Sequence, residues 1–181
     1  FGLNDKDSHG WPLHRRNEEW GLLRQSRMFQ VAGDQHLSTL AQHGILGPAD
    51  AGYSFTLPAI ANFFPRCWDP VHNANGTTAT VNPYTGDFFF DGVGTLPSGQ
   101  PNLSAADPAH VRMLAVGNPL QYYQQTRNIS PANLHDRGAG YGIVRIDKTT
   151  RRIVFECWPL HADPDDPGTG TQYDDWPVTI S

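Results

Sequence analysis

Hydrophobic and polar residues alternate along this chain in short stretches, a pattern that predicts many strands and few helices. The apolar side chains of Tyr53, Phe55 and Leu57 alternate with polar neighbours, which is typical of a half-buried strand. Residues 113–116 form a continuous apolar run before Gly117, which indicates a buried strand. The clearest pattern is a hairpin, in which residues 143–146 and 153–157 flank a turn at residues 147–150.

The first part of the chain is predicted to run from a helix into a strand. Residues 15–25 can form one helix with Trp20 and Leu23 on the same face. Residues 28–32 are mostly apolar and predict a strand that ends where Gly33 interrupts the pattern. After this break, the sequence predicts a short helix that starts around Leu37 and ends near Gly44.

The motif Gly33-Asp34-Gln35-His36 is the strongest candidate for chemistry. If strand geometry continues through it, the side chains of Asp34 and His36 point to the same side, because side chains in a strand alternate with period 2. In open α/β sheets, ligands and metals bind at the carboxyl ends of strands. A carboxylate beside an imidazole suits a divalent or trivalent metal. On its own, such a pair is also compatible with two hydrogen-bonded loop residues.

The motif belongs to an ordered series that extends along most of the chain. Its members are residues 7–12, 16–17, 31–37, 42–45, 51–55, 58, 62–63, 65–66, 86–88, 91–92, 115–119, 137–144, 155–159 and 176–180. This order resembles the C-terminal half of the catalytic domain of the alkaline phosphatase D-like (PhoD-like) metallophosphoesterases. The match is weakest at residues 95–110, and we expect residues 95–108 to form a surface insertion.

The resemblance implies a fold, a site and an activity. The implied fold is an α/β domain covering residues 1–181, strand-rich with short helices and long loops, and part of a calcineurin-like metallophosphoesterase sandwich. The Asp and His of the motif are metal ligands in that family, which assigns metal ligation to Asp34 and His36. The implied cofactors are two metal ions, drawn from iron, calcium, manganese and zinc. The implied substrate is a phosphate ester, and the implied location is the periplasm or the extracellular space.

The family's other ligands lie before the motif, and this chain shows no counterpart of them. We therefore expect the chain to be the C-terminal part of the domain, truncated at both ends, with the remainder of the domain or a complementary fragment as its partner. Two ligands do not complete a binuclear site. One expectation is metal-dependent phosphoester hydrolysis, of the alkaline phosphatase or phosphodiesterase type, in the intact parent protein. The alternative is a non-catalytic structural or binding module on a truncated or diverged phosphoesterase fold.

Three further features have both a functional and a structural interpretation. His43 would lie on the helical face of His36, where it could support a ligand or touch substrate, although a packing role is favoured. The glycines of residues 138–142 suggest a phosphate loop next to Arg137, but close backbone packing is favoured because a strand follows them. Cys67 and Cys157 can form a disulfide or remain buried thiols.

Composition limits the classes of partner. The formal net charge of -5 argues against nucleic-acid binding, which needs a basic surface. No apolar run approaches the roughly 20 residues of a membrane-spanning helix, so no membrane span is expected. With 18 Gly and 15 Pro residues, the chain is expected to contain many loops, including a mostly irregular acidic stretch at residues 162–175.

Overall fold

The computed structural model describes residues 13–26, 28–33, 38–44, 46–47, 49–60, 76–77, 85–90, 109–117 and 139–181. These residues form one helix and nine strands, so the described part of the chain is strand-rich and belongs to a mostly-β variety of the α/β class. The elements are α1 (Leu13–Ser26), β1 (Gln30–Ala32), β2 (Thr39–Gly44), β3 (Tyr53–Thr56), β4 (Gly76–Thr77), β5 (Gly86–Phe90), β6 (Ala109–Val116), β7 (Gly140–Asp147), β8 (Arg152–Pro159) and β9 (Val178–Ile180). No helix in the described ranges is long and apolar enough to cross a membrane.

The strands form two sheets. The larger has six strands in the order β1-β3-β2-β6-β5-β4, and the smaller has three in the order β7-β8-β9. In the larger sheet β4, β5 and β6 pair antiparallel, with Asp87 opposite Arg112. In the smaller sheet β7 and β8 form a long antiparallel hairpin, with Gly142 opposite Cys157, and β9 extends β8.

The contacts divide the chain into two compact units, each with its own buried residues. The first unit comprises Phe1–Gln30, Ala41–Ser54 and Trp68–Leu114. Its buried apolar residues include Trp20, Ala41, Phe88, Val111 and Met113. The second unit comprises Val31–Leu40, Phe55–Cys67 and Ala115–Ser181. Its buried apolar residues include Leu40, Phe55, Phe155, Cys157, Tyr173 and Trp176.

Most of the predicted elements in the described ranges are present. The predicted helix over residues 15–25 lies within α1, and the predicted strands over residues 28–32 and 113–116 correspond to β1 and β6. The hairpin is confirmed, and its strands extend beyond the predicted bounds. The strand β3 was expected to be half buried, yet Ser54 and Phe55 are both buried, so neither of its faces is open to solvent.

The helix predicted between Leu37 and Gly44 is wrong, because residues 39–44 form β2. Five of the six β2 residues are buried, and the strand lies between β3 and β6 in the larger sheet. A strand that is covered on both faces has no amphipathic period by which to distinguish it from a short helix. Pairing with two neighbouring strands outweighs the high helix propensity of Leu40, Ala41 and Gln42.

Candidate functional site

The two candidate metal ligands, Asp34 and His36, lie outside the described residues, which resume at Ser38. The chain on either side of them is described. Gly33 directly follows β1, and Ser38 directly precedes β2. The surroundings of the motif can therefore be built from these two flanks.

The two flanks are attached to consecutive residues of the chain at the end of β3. The Leu57 amide donates a hydrogen bond to the Ala32 carbonyl, with an N–O distance of 2.8 Å. The Thr39 amide donates to the Thr56 hydroxyl at 3.1 Å, and the Thr39 and Thr56 hydroxyl oxygens are 2.5 Å apart. Because β3 lies between β1 and β2, one short segment holds both ends of the connection that carries the motif.

Ser38 is held from a second direction by the residue that follows β6. The Gly117 amide donates to the Ser38 carbonyl at 2.9 Å. The approach is close, since a Cβ added at Gly117 would lie 3.0 Å from the Ser38 Cβ and 3.2 Å from the Tyr173 Cδ2. Only a glycine leaves these neighbours undisturbed. The Ser38 side chain is buried, and its hydroxyl makes no hydrogen bond of normal geometry.

The Cys157 thiol, which interacts with the Ser38 hydroxyl, is fully buried and free. Burial raises the pKa of Cys157 to about 12, and the opposing effects of the Ser38 hydroxyl and the Trp158 backbone are smaller. A thiol with such a pKa stays protonated at neutral pH, and the thiolate is the reactive form, so Cys157 acts as an apolar core residue. Cys67, the other cysteine considered for a disulfide, lies outside the described residues.

The segment that precedes β9 is bonded to this region through both side-chain and main-chain groups. The Cys157 amide donates to the Gln172 Oε1 atom at 3.2 Å, and the Tyr173 amide donates to the Cys157 carbonyl at 3.2 Å. The Tyr173 hydroxyl donates to the Ala139 carbonyl at 3.0 Å. The predicted irregular stretch at residues 162–175 is confirmed, but Ala162, Gln172 and Tyr173 are hydrogen-bonded to the β7–β8 hairpin.

His43 has the packing role that the sequence favoured. It lies on β2, its residue is 8% exposed, and its ring stacks on Trp20 with the ring centres 4.7 Å apart. The expectation that it continues a helical face from His36 is wrong, because residues 39–44 are a strand. A strand has a side-chain period of 2, so the seven-residue spacing loses the meaning that it has in a helix.

The glycine-rich segment before the hairpin also has a packing role, as the sequence favoured. A Cβ added at Gly142 would lie 2.3 Å from the Leu57 Cδ2 and 2.7 Å from the Phe55 Cζ. At Gly140, it would lie 2.3 Å from the Trp158 carbonyl oxygen. Both glycines are part of β7, which removes the loop-then-helix geometry that binds phosphate. Arg137 and Gly138 lie outside the described residues.

Two Arg–carboxylate pairs are the best-defined charged groups. Arg112 on β6 pairs with Asp87 on β5, and Arg145 on β7 pairs with Glu156 on β8. In each pair the Arg Nε lies 2.6 Å from a carboxylate oxygen. Both carboxylates are therefore already paired, and neither has the position of an open metal ligand.

The donor chemistry of Asp34 and His36, a hard oxygen and a neutral nitrogen, suits the metals that the resemblance implies. Within the described ranges, no group of three His, Cys, Asp or Glu side chains is arranged to hold a metal.

The anchoring residues Thr56 and Gly117 were not identified from the sequence. A lone Thr at a strand end has no recognisable sequence pattern, and the sequence indicates Gly117 only as the boundary of a strand.

Comparisons with protein-family models, curated proteins and solved structures gave no match to this chain.

Proposed function

We propose that the intact protein containing this chain is a metal-dependent phosphoester hydrolase, in which Asp34 and His36 are metal ligands. The observation that carries the proposal is the position of Gly33-Asp34-Gln35-His36, directly after β1 and between two flanks that β3 anchors. This is the end of a strand at which α/β proteins bind ligands. The proposed fold is a calcineurin-like sandwich, and the proposed location is outside the cytoplasm.

The roles of the two side chains follow from their chemistry. Asp34 contributes an anionic oxygen, and His36 contributes a neutral imidazole nitrogen, which suits iron, manganese, zinc or calcium in combination. A bound metal pair supplies a water of lowered pKa and offsets charge on the phosphate oxygens. His36 must be deprotonated to bind metal, so metal affinity is expected to fall as the pH drops below the usual histidine range. The remaining ligands are proposed to come from the rest of the domain.

The test is metal content and hydrolysis, measured on the same preparations of the intact protein. The wild type should retain one or two metal ions per chain after desalting, and it should hydrolyse p-nitrophenyl phosphate or bis(p-nitrophenyl) phosphate. Asp34→Ala and His36→Ala should each lower metal content and hydrolysis together. Removing a residue that only supports a metal ligand lowers metal affinity or activity by up to roughly 100-fold. Removing a ligand itself should lower metal binding and hydrolysis by at least as much.

His161→Ala is the matched control, because His161 is an exposed histidine of the second unit outside the motif. It should retain both metal and activity. Full activity in His36→Ala would contradict the assignment of that residue. A wild-type protein that is folded, binds no metal above background and hydrolyses neither substrate would favour the alternative, a non-catalytic structural or binding module.

A further inference from the structure

We propose that a cavity in the second unit binds a small organic amine that also carries hydroxyl groups. The cavity has a volume of about 350 Å³ and lies between two walls, formed by residues 159–162 and residues 169–174. Pockets for small molecules have volumes of roughly 300–1,000 Å³, so this one suits a ligand at the small end of that range. None of its residues belongs to the motif, so its role is independent of the metal chemistry proposed above.

Hydrogen bonds within the second unit hold both walls of the cavity. In the first wall the Ala162 amide donates to the Pro159 carbonyl at 3.1 Å, and the Tyr141 hydroxyl donates to the Ala162 carbonyl. In the second wall the Tyr173 amide donates to the Cys157 carbonyl at 3.2 Å. The main chain on both sides is therefore held before a ligand arrives, which lowers the entropy lost on binding.

The two walls approach each other closely at Gly170. This residue has a φ of 147°, a conformation that side-chain-bearing residues rarely adopt. A Cβ added there would lie 3.3 Å from the Ala162 Cβ, which is tighter than an ordinary contact. The width of the cavity at this point therefore depends on the absence of a side chain.

The charge around the cavity favours a cation and disfavours an anion. Residues 153–181 contain six Asp or Glu and no Lys or Arg, and Asp174 is one of the lining residues. Burial raises the pKa of the Tyr141 hydroxyl, which bonds to the first wall, and Asp163 and Asp165 raise it further. Negative potential therefore reaches the wall of the cavity. In the part of the chain that the structure describes, no three His, Cys, Asp or Glu side chains are arranged to hold a metal, so we expect the cation to be organic.

The other lining groups suit a ligand with hydroxyls on a carbon skeleton. The Gln172 Oε1 atom accepts from the Cys157 amide at 3.2 Å, so Nε2 is the atom with which this side chain can donate to a ligand. Thr171 adds a hydroxyl, which can donate and accept. Pro159 and Leu160 add apolar surface for the carbon skeleton. A carboxylate for an ammonium group and donors for ligand oxygens together match an amine with hydroxyl groups.

The experiment compares three ligands of equal chain length by ligand-observed nuclear magnetic resonance on the intact protein at pH 7. Glucamine has an ammonium group where sorbitol has a hydroxyl and gluconate has a carboxylate. Glucamine should bind about 5-fold more tightly than sorbitol, the ratio expected for one solvent-accessible ion pair, and gluconate should not bind. Asp174→Asn should lower the affinity for glucamine to that for sorbitol. Thr171→Val should weaken the binding of glucamine and sorbitol alike.

Asp175→Asn is the matched control, because Asp175 is exposed and adjacent to Asp174 but does not line the cavity. Its φ of 68° is one that Asn tolerates as well as Asp does, so the loop should be preserved. This variant should keep the preference for glucamine.

Three results would overturn the inference. The first is equal affinity for glucamine and sorbitol in the wild type, or no binding of either. The second is equal weakening of glucamine binding by Asp174→Asn and Asp175→Asn. The third is loss of glucamine binding in Asp34→Ala, since that would place the ligand at the candidate metal site and not in this cavity. Loss of metal and hydrolysis in Asp34→Ala with glucamine binding retained would support both proposals separately.

Discussion

Each of the two compact units contains a cross-strand ion pair, and the two pairs share their chemistry but not their surroundings. In both, the Arg Nε lies 2.6 Å from one carboxylate oxygen, and a second guanidinium nitrogen reaches the other oxygen. Arg112 lies directly opposite Asp87 in the strand register, whereas Arg145 and Glu156 are diagonal neighbours. The Glu156 side chain is 10% exposed, and that of Asp87 is 26% exposed.

The difference in burial changes what keeps each carboxylate ionised. The hydrogen bond from Arg112 lowers the pKa of Asp87, and burial opposes it less strongly. For Glu156 burial is the largest single influence and raises the pKa, but Arg145 and the Trp158 indole, which donates at 3.0 Å, together bring it below its ordinary value. The more buried carboxylate therefore depends more on its partners. We therefore expect burial of the carboxylate, more than the geometry of the guanidinium, to determine how much each pair contributes to stability.

The largest expected effect comes from breaking the sheet that carries the buried pair. Gly142→Ala places a Cβ 2.3 Å from the Leu57 Cδ2 and 2.7 Å from the Phe55 Cζ, so the core of the second unit must move. We expect a loss of about 3 kcal/mol in the free energy of unfolding, the upper end of the range for overpacking. Urea denaturation followed by near-ultraviolet circular dichroism measures it.

Gly21→Ala is the control for this substitution, because a Cβ at Gly21 meets nothing within 4 Å. Gly21 is inside α1, where Ala is preferred over Gly by roughly 0.5–1 kcal/mol, so this variant should be slightly more stable than the wild type. A Gly142→Ala protein with unchanged stability would show that Phe55 and Leu57 do not pack against β7 as described.

The same hairpin shows how much of the fold a sequence of this kind predicts. β-Branched and aromatic residues flank its turn, namely Ile143, Ile146, Ile153 and Phe155. This local pattern was sufficient to predict that the two strands pair. The Asp147 side chain accepts from the Thr149 and Thr150 amides, which fixes the turn through contacts two and three residues away. Local interactions of this type are readable from a single sequence.

The strand β2 shows where prediction from local sequence patterns fails. Its residues have no alternating pattern, because the strand is covered on both faces, and its structure depends on pairing with β3 and β6. For the candidate site, the sequence identified Asp34 and His36 through a motif. It did not identify Thr56, which is 17 residues from its partner Thr39. A hydroxyl contact over such a separation leaves no local pattern.

Removal of each Arg tests the comparison between the two pairs directly. Arg145→Ala leaves a buried carboxylate with the Trp158 indole as a donor, and we expect it to destabilise the fold more than Arg112→Ala does, but less than the loss of one partner of a fully buried pair. Arg112→Ala leaves a carboxylate that water can reach, and the expected loss is about 0.5 kcal/mol. Chemical denaturation of both variants and the wild type at neutral pH measures the two losses.

Glu156→Gln separates charge from packing in the same experiment. It removes the buried charge, retains an oxygen that can accept from Trp158, and leaves Arg145, whose side chain is 56% exposed, to interact with water. It should therefore cost less than Arg145→Ala, about 1 kcal/mol. Equal losses for Arg145→Ala and Arg112→Ala would contradict the comparison, because they would show that burial of the carboxylate has no influence.

The smallest expected effect is the pH dependence of the stability difference between the wild type and Arg145→Ala. The pKa of Glu156 is lower in the folded chain than its ordinary value, so ionised Glu156 stabilises the fold above the usual carboxyl range, roughly pH 4 to 4.5. This contribution is lost as the pH falls through the folded pKa, because the carboxylate becomes protonated. In Arg145→Ala the carboxylate protonates more readily, and a neutral Glu156 needs no cation beside it.

The stability difference between wild type and Arg145→Ala should therefore shrink as the pH is lowered from 7 towards 3. The corresponding difference for Arg112→Ala, small at pH 7, should change little. A gap for Arg145→Ala that stays constant with pH would mean that Arg145 contributes through packing of its aliphatic stem, and the two pairs would then differ in shape and not in electrostatics.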